Sequence, residues 1–191
     1  MTAFDTIAPT YDSAPNPLLA LEERILGPLI PDTCELSVAD IGAGTGRWLH
    51  RLQAARTVAI DVSGAMLAYA PPPRVIADAC SLPLANDAFD VVFCTFTLGY
   101  APACFAELAR ITAKTLIVTD VHPDALARGW SRMAPHQPYT IESLLHPSLT
   151  RAYFLEPHID QPERPLFASK PHLFDTACAH PAIFIGIWNK Q

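Results

Sequence analysis

Three aspartates each close a short apolar run: Asp40 in Ser37-Val38-Ala39-Asp40-Ile41, Asp61 after Thr57-Val58-Ala59-Ile60, and Asp78 after Arg74-Val75-Ile76-Ala77. Runs of this kind read as buried strands, and the carboxyl ends of strands are where open α/β sheets bind ligands. Asp61 follows Asp40 by 21 residues, close to the separation at which α/β nucleoside sites place a carboxylate on a ribose. Its two acceptor oxygens match two vicinal hydroxyls. A purely structural role, capping the next helix, falls more naturally to Ser63.

Asp40 leads into Gly42, Gly44 and Gly46, one at every second position. Glycines this dense cost chain entropy, so the turn must need positive φ or a missing Cβ. At a strand-to-helix turn the usual reason is a ligand lying against the backbone. The unpaired N–H groups of a helix start suit an anionic or polar ligand group.

The spacing sorts the ligand classes. Dinucleotide sites use G-x-G-x-x-G, and here Arg47 stands where the third glycine would be. A phosphate-gripping P-loop is excluded because no G-K-[ST] follows. The run D-I-G-A-G-T-G instead resembles the first motif of the class I S-adenosylmethionine-dependent methyltransferases. The resemblance implies that Asp40 and the loop of Gly42, Ala43, Gly44 and Gly46 hold the methionine half of the cofactor. D-V-S-x-x-M-L resembles the second motif, implying that Asp61 takes the ribose while Val62 and Met66 line the adenine pocket. A-D-A-C-S-L-P-L resembles the third, implying that Asp78 and the Ala79 N–H read the adenine edge.

The N-terminal pattern F-D-x-x-A-x-x-Y-D looks like the lid segment of the ubiquinone-biosynthesis type, with Tyr11 near the methionine end. From residue types alone, Tyr11 serves equally as an anchor of the N-terminal arm. F-D-x-V at Phe89 is a further hallmark in which Asp90 opens the fourth strand without catalysing. The resemblance implies that the stretch Thr95 to Pro102 borders the transferred methyl, with Thr95 beside the cofactor; Tyr100 is a candidate acceptor contact or, equally, an aromatic packed beneath the next helix. His122, after the fifth strand, is the candidate general base by its intrinsic pKa, the competing reading being a structural histidine in the Val121-His122-Pro123 turn. The implied cofactor is S-adenosylmethionine, with S-adenosylhomocysteine as product, and the implied partner is a small-molecule acceptor. A second reading keeps the nucleoside pocket without turnover, as a regulatory or scaffolding protein.

These residues require an alternation of strands and helices. An apolar helix is expected over Leu18 to Leu29, another over Trp48 to Leu52 with Arg47 and Arg51 outward, and a third behind Pro102. Further strands are expected at Phe89 to Phe96, Leu116 to Thr119, Ala152 to Leu155 and Ala182 to Trp188. Helices are expected at Asp124 to Met133 and Thr140 to Leu145. Short links predict a Rossmann-like, doubly wound, mostly parallel sheet. The resemblance implies seven strands in the order 3-2-1-4-5-7-6, the last antiparallel.

The 191 residues suit one domain: an N-terminal arm and helix over 1–35, a cofactor half over 36–121, and a substrate-side half over 122–191. Half the residues are apolar and 17% charged, which speaks against disorder. A net charge of −6 gives no footprint for nucleic acid or anionic membrane. Absence of a signal sequence or long apolar run points to a cytoplasmic protein. Five scattered cysteines and seven scattered histidines show no ligand spacing, so no metal is expected.

Overall fold

A computed structural model describes residues 3–13, 15–130 and 136–191. Its centre is a seven-stranded sheet in the order β3-β2-β1-β4-β5-β7-β6. The strands are β1 (Ser37–Ile41), β2 (Arg56–Asp61), β3 (Arg74–Ile76), β4 (Phe89–Thr95), β5 (Thr112–Val121), β6 (Leu149–Leu155) and β7 (Ile183–Lys190). All pairs from β3 to β5 are parallel, and β7 runs antiparallel between β5 and β6. The expected order is thereby observed.

The parallel strands are short apolar runs because they are covered on both faces. Side chains alternate between the two layers. Ile117 of β5 joins Leu21, Trp48 and Phe93 in one core. Its neighbours Leu116 and Val118 join Ile41, Ile60, Leu108 and Trp188 in the other. The chain winds outward through β2 and β3, then returns to place β4 on the other side of β1. The crevice between the two directions opens at the carboxyl ends of β1 and β4, beside the glycine turn.

Six helices are assigned among the described residues: α1 (Ala3–Ile7), α2 (Pro17–Leu26), α3 (Gly64–Leu67), α4 (Cys104–Ile111), α5 (Pro123–Ala127) and α6 (Phe174–Cys178). Asn16 caps α2, its side chain accepting from Leu18 N at 3.0 Å, with Pro17 in the first turn. The helix expected at Trp48 to Leu52 is a run of turns instead. Only His50 N to Gly46 O and Leu52 N to Trp48 O are bonds of helical span there. The positive φ of Gly46 and the inward pull on Arg47 set that backbone.

The later half is less regular than its periodicity suggested. The segment expected to be helical at Thr140 to Leu145 is a single 3-10 turn, Ile141–Ser143. The helix expected from Asp124 stops at Ala127, and residues 131–133 of that expectation lie outside the described residues.

Asp90 has the structural role assigned to it. Its Oδ2 accepts from Ser37 N at 2.9 Å and Ser37 Oγ at 2.7 Å, and Lys114 lies 3.0 Å from Oδ1. These bonds tie the starts of β1, β4 and β5 and push its carboxyl down to about 2, the Ser37 bonds contributing most. A depressed folded pKa stabilises above the unfolded value and loses that contribution as pH falls through the folded one. Asp90→Ala should therefore cost about 1–3 kcal/mol at pH 7, and the gap to the parent should close between about pH 5 and pH 2. Urea denaturation across that range measures it, and cofactor affinity should be unchanged.

Candidate functional site

A cavity of about 270 Å³ lies over the carboxyl ends of β1, β2 and β4. It gathers the residues expected at the site: Tyr11, Asp40, Gly42, Ala43, Gly44, Asp61, Val62, Met66, Asp78, Ala79, Thr95 and Tyr100 all line it. Gly46 lies just behind the wall, packed on Ala70 and Pro71.

The glycine turn is shaped as its composition demanded. Gly42, Gly44 and Gly46 have φ of +69°, +55° and +76°. A Cβ on Gly42 would run into the Thr97 side chain, whose hydroxyl donates back to Gly42 O at 3.3 Å. A Cβ on Gly44 would come 3.2 Å from the Met66 methyl, so the bare backbone there faces the cavity.

Asp61 joins the turn to β2. Its Oδ2 accepts from Gly44 N and its Oδ1 from Ser63 N, both at 2.8 Å. Val62 N–H is a third backbone donor to the carboxylate, and of its roughly four acceptor directions at least one remains. Burial raises its carboxyl above the ordinary range, opposed by these N–H bonds. Ser63 caps α3, accepting from Met66 N at 3.2 Å, as its position suggested. Met66 is buried, whereas Val62 and Asp78 stand exposed at the rim. Asp78 Oδ1 accepts from Cys80 N at 2.8 Å, which fixes the carboxylate beside Ala79.

Asp40 is buried, and its Oδ1 has no hydrogen-bond partner. Burial pushes its carboxyl up to about 7, opposed by Arg47 and reinforced by Glu22 and Asp61. Arg47 is not on the outer face where its periodicity placed it. Its Nη2 pairs with Glu22 of α2, which is fully buried and also accepts from Thr119 Oγ1 on β5. Its Nη1 is buried with no partner, and the side chain lines the same cavity as Asp40. Glu22 is itself raised by burial, with Arg47 the largest opposing influence.

The N-terminal arm lies across this site. Asp12 Oδ1 accepts from Thr45 Oγ1 at 3.0 Å, and Asp5 accepts from Ser63 Oγ. Phe4 meets the Tyr100 ring edge-on at 5.2 Å. Burial pushes the Tyr11 phenol up to about 12, opposed by Arg47.

Phe4, Tyr11, Leu19, Phe96 and Tyr100 also border a second cavity of about 170 Å³, whose far wall includes Asp120, Val121 and Trp130. Phe96 holds φ of +52°, a conformation that bulky residues adopt rarely and usually at functional sites. Asp120, next to last in β5, is fully buried and accepts from Gly99 N and Val121 N at 2.6 Å each. Burial pushes its carboxyl up to about 7, against those two bonds and a further one from the Leu98 N–H.

His122 is not brought to either cavity. It caps α5, its Nδ1 accepting from Asp124 N at 3.1 Å, while Nε2 lies 2.9 Å from Glu156 Oε1. With both ring nitrogens engaged away from the cavities, the expected base is a structural histidine.

Glu22, Arg47 and Asp120 are the site residues that sequence reasoning missed. Glu22 interrupts the apolar stripe Leu18–Leu26 at helical spacing, which is the mark of a charge facing inward. Asp120 lies at the end of an apolar strand in the same way as Asp40 and Asp61.

The residues fit an adenosyl-methionine group on this geometry. Bare glycine backbone borders the cavity, acids lie at the ends of β1 and β2, and one orphaned acceptor, Asp40 Oδ1, shares its wall with two orphaned donors, Arg47 Nη1 and Trp48 Nε1. Residues 39–118 match the model of a methyltransferase domain family. The chain is similar to a malonyl-[acyl-carrier protein] O-methyltransferase from Hahella chejuensis, 32% identical over 123 residues, 57% of this chain and 44% of that protein. It is 35% identical over 127 residues to the enzyme of the same name from Halorhodospira halophila, covering 58% of this chain and 43% of that one. The matched segment thus spans less than half the length of these relatives.

An S-adenosylmethionine-dependent methyltransferase from Mesorhizobium loti shares the fold with a TM-score of 0.70 at 19% identity, over 92% of this chain and all of that one. One from Archaeoglobus fulgidus does so with a TM-score of 0.63 at 16% identity, over 92% and 95%.

Proposed function

We propose that this chain is an S-adenosylmethionine-dependent methyltransferase that transfers a methyl group to a small-molecule acceptor held in the second cavity, a reading supported by the match of residues 39–118 to a methyltransferase domain model. The observation that carries this is the orphaned pair, Asp40 Oδ1 and Arg47 Nη1, on one wall of the first cavity. An α-amino acid end brings an ammonium for the acceptor atom and a carboxylate for the donor atom. Buried polar atoms without partners are costly, so a ligand that satisfies both gains affinity at that point.

The remaining roles follow the cavity wall. Asp61 uses its spare acceptor capacity for the ribose, while Val62 and Met66 flank the base. Asp78 and Ala79 meet the base edge, and Thr95 lies toward the transferred methyl. Residues 36–121 supply most of this half, whereas the second cavity is walled by the N-terminal arm and the start of α2, by Phe96 and Tyr100, and by Asp120, Val121, Trp130 and His136. Tyr11 borders both cavities and sits where donor and acceptor meet.

Bound S-adenosylmethionine supplies a methyl carbon already activated by its sulfonium. The protein therefore has to align the two reactants and exclude water. The arm does the second job, since Asp5 and Asp12 pin it to Ser63 and Thr45 at the cavity mouth.

The test needs only the parent protein. S-adenosylhomocysteine should bind at least about a hundredfold more tightly than 5′-methylthioadenosine, which lacks the amino-acid end; that ratio is about 2.7 kcal/mol. Equal affinities in a calorimeter would remove the role given to Asp40 and Arg47.

A further inference from the structure

The second cavity has a chemistry of its own. Its wall combines the rings of Tyr11, Phe96, Tyr100 and Trp130 with one carboxylate, Asp120. No lysine or arginine lines it among the described residues. Asp120 is fully buried, and the charge that acts on it across the core is another carboxylate, Glu22. The Arg47 guanidinium pairs with Glu22 through Nη2 and lines the first cavity, not this one. Aromatic faces attract cations through their quadrupoles, and most strongly where water is excluded. A carboxylate beside them supplies a full countercharge.

We propose that the second cavity takes the methyl acceptor as an organic ammonium, an amine carried on a small apolar or aromatic body. This rests on the reading of the first cavity as the cofactor site and names the substrate class for it. It departs from an acidic acceptor such as a malonyl group, whose carboxylate would meet Asp120 head on. The rings hold the body of the acceptor, and the ammonium lies toward Asp120. Asp120 Oδ2 accepts from Gly99 N and Oδ1 from Val121 N, Leu98 N–H is a third backbone donor, and of a carboxylate's roughly four acceptor directions at least one remains. The ammonium proton passes to a carboxyl oxygen of Asp120, which restores the nitrogen lone pair that methylation requires. Burial has already brought that carboxyl to the range where it can hold a proton near neutrality.

The experiment compares three probes of one shape on the full chain saturated with S-adenosylhomocysteine: 2-phenylethylammonium, 2-phenylethanol and 3-phenylpropanoate. The cation should bind at least about tenfold more tightly than the alcohol, about 1.4 kcal/mol, and the carboxylate more weakly than either. Asp120→Asn should erase the cation's advantage, and Trp130→Leu should reduce it without touching the Asp120 bonds to Gly99 and Val121. Saturation by S-adenosylhomocysteine with no preference for the cation, or with the carboxylate preferred, overturns the inference and leaves the cofactor reading standing. Failure of S-adenosylhomocysteine to bind overturns both.

Discussion

Arg47→Met should destabilise the protein by about 3–5 kcal/mol, the usual cost of removing one partner from a buried ion pair. The guanidinium is the counterion of Glu22, which is wholly buried between α2 and β5, and it is the charge that opposes the rise in the Asp40 carboxyl. Without it two buried carboxylates face each other across the site, with the Thr119 hydroxyl still donating to Glu22. The sign with pH is fixed by the direction of the shifts. Glu22 and Asp40 are raised, so their ionised forms are penalised in the folded state, and the penalty disappears as pH falls through the folded pKa. The deficit of the variant should thus be largest near pH 8 and shrink toward pH 5. Urea titrations at three pH values measure it, with Glu22→Gln/Arg47→Met as the partner variant that recovers part of the loss. A deficit that stays constant with pH would show that the carboxylates are not what Arg47 supports.

Asp61→Ala should weaken S-adenosylmethionine binding by at least a hundredfold. Two hydrogen bonds to a charged acceptor are worth about 1.5–3 kcal/mol each, and 2.7 kcal/mol is a factor of about a hundred. The side chain also holds Gly44 N and Ser63 N at 2.8 Å, so its loss loosens the turn against which the ligand lies. Asp61→Asn keeps an acceptor for one of those groups and should lie between parent and alanine. Asp78→Ala, at the exposed rim, should cost about tenfold, the worth of one hydrogen bond. Calorimetric titration with S-adenosylmethionine, beside a melting curve for each variant, separates binding from folding. An Asp61→Ala affinity within threefold of the parent would dismiss the ribose role.

The two variants bear on different sources of information. The place of Asp61 beside the glycine turn was legible before any fold was known. An acid closing an apolar run, at nucleoside distance from a glycine turn, is a pattern along the chain. Arg47 was misplaced for the same reason that its neighbours were read correctly. Periodicity assumes a regular helix from Trp48, and on a regular helix Arg47 faces outward. The turn backbone after Gly46 breaks that period and lets the side chain swing inward to Glu22, 25 residues earlier. His122 erred in the opposite direction. Its position at a strand end and its intrinsic pKa suited a base, yet the backbone of Asp124 and the carboxylate of Glu156 occupy both nitrogens.

By itself the amino-acid order determined the strand ends, the glycine turn, the acids that follow the strands and, through its likeness to a family, the strand order of the sheet. Those features are local or repeat along the chain, so residue type and spacing carry them. Only the tertiary structure decided which charges meet. Glu22 from the N-terminal helix, Arg47 from the turn, Thr119 and Asp120 from β5 and Tyr11 from the arm are brought together by packing. The physical reason is that burial makes a charge depend on its neighbours in space, and those neighbours are scattered over about a hundred residues of chain.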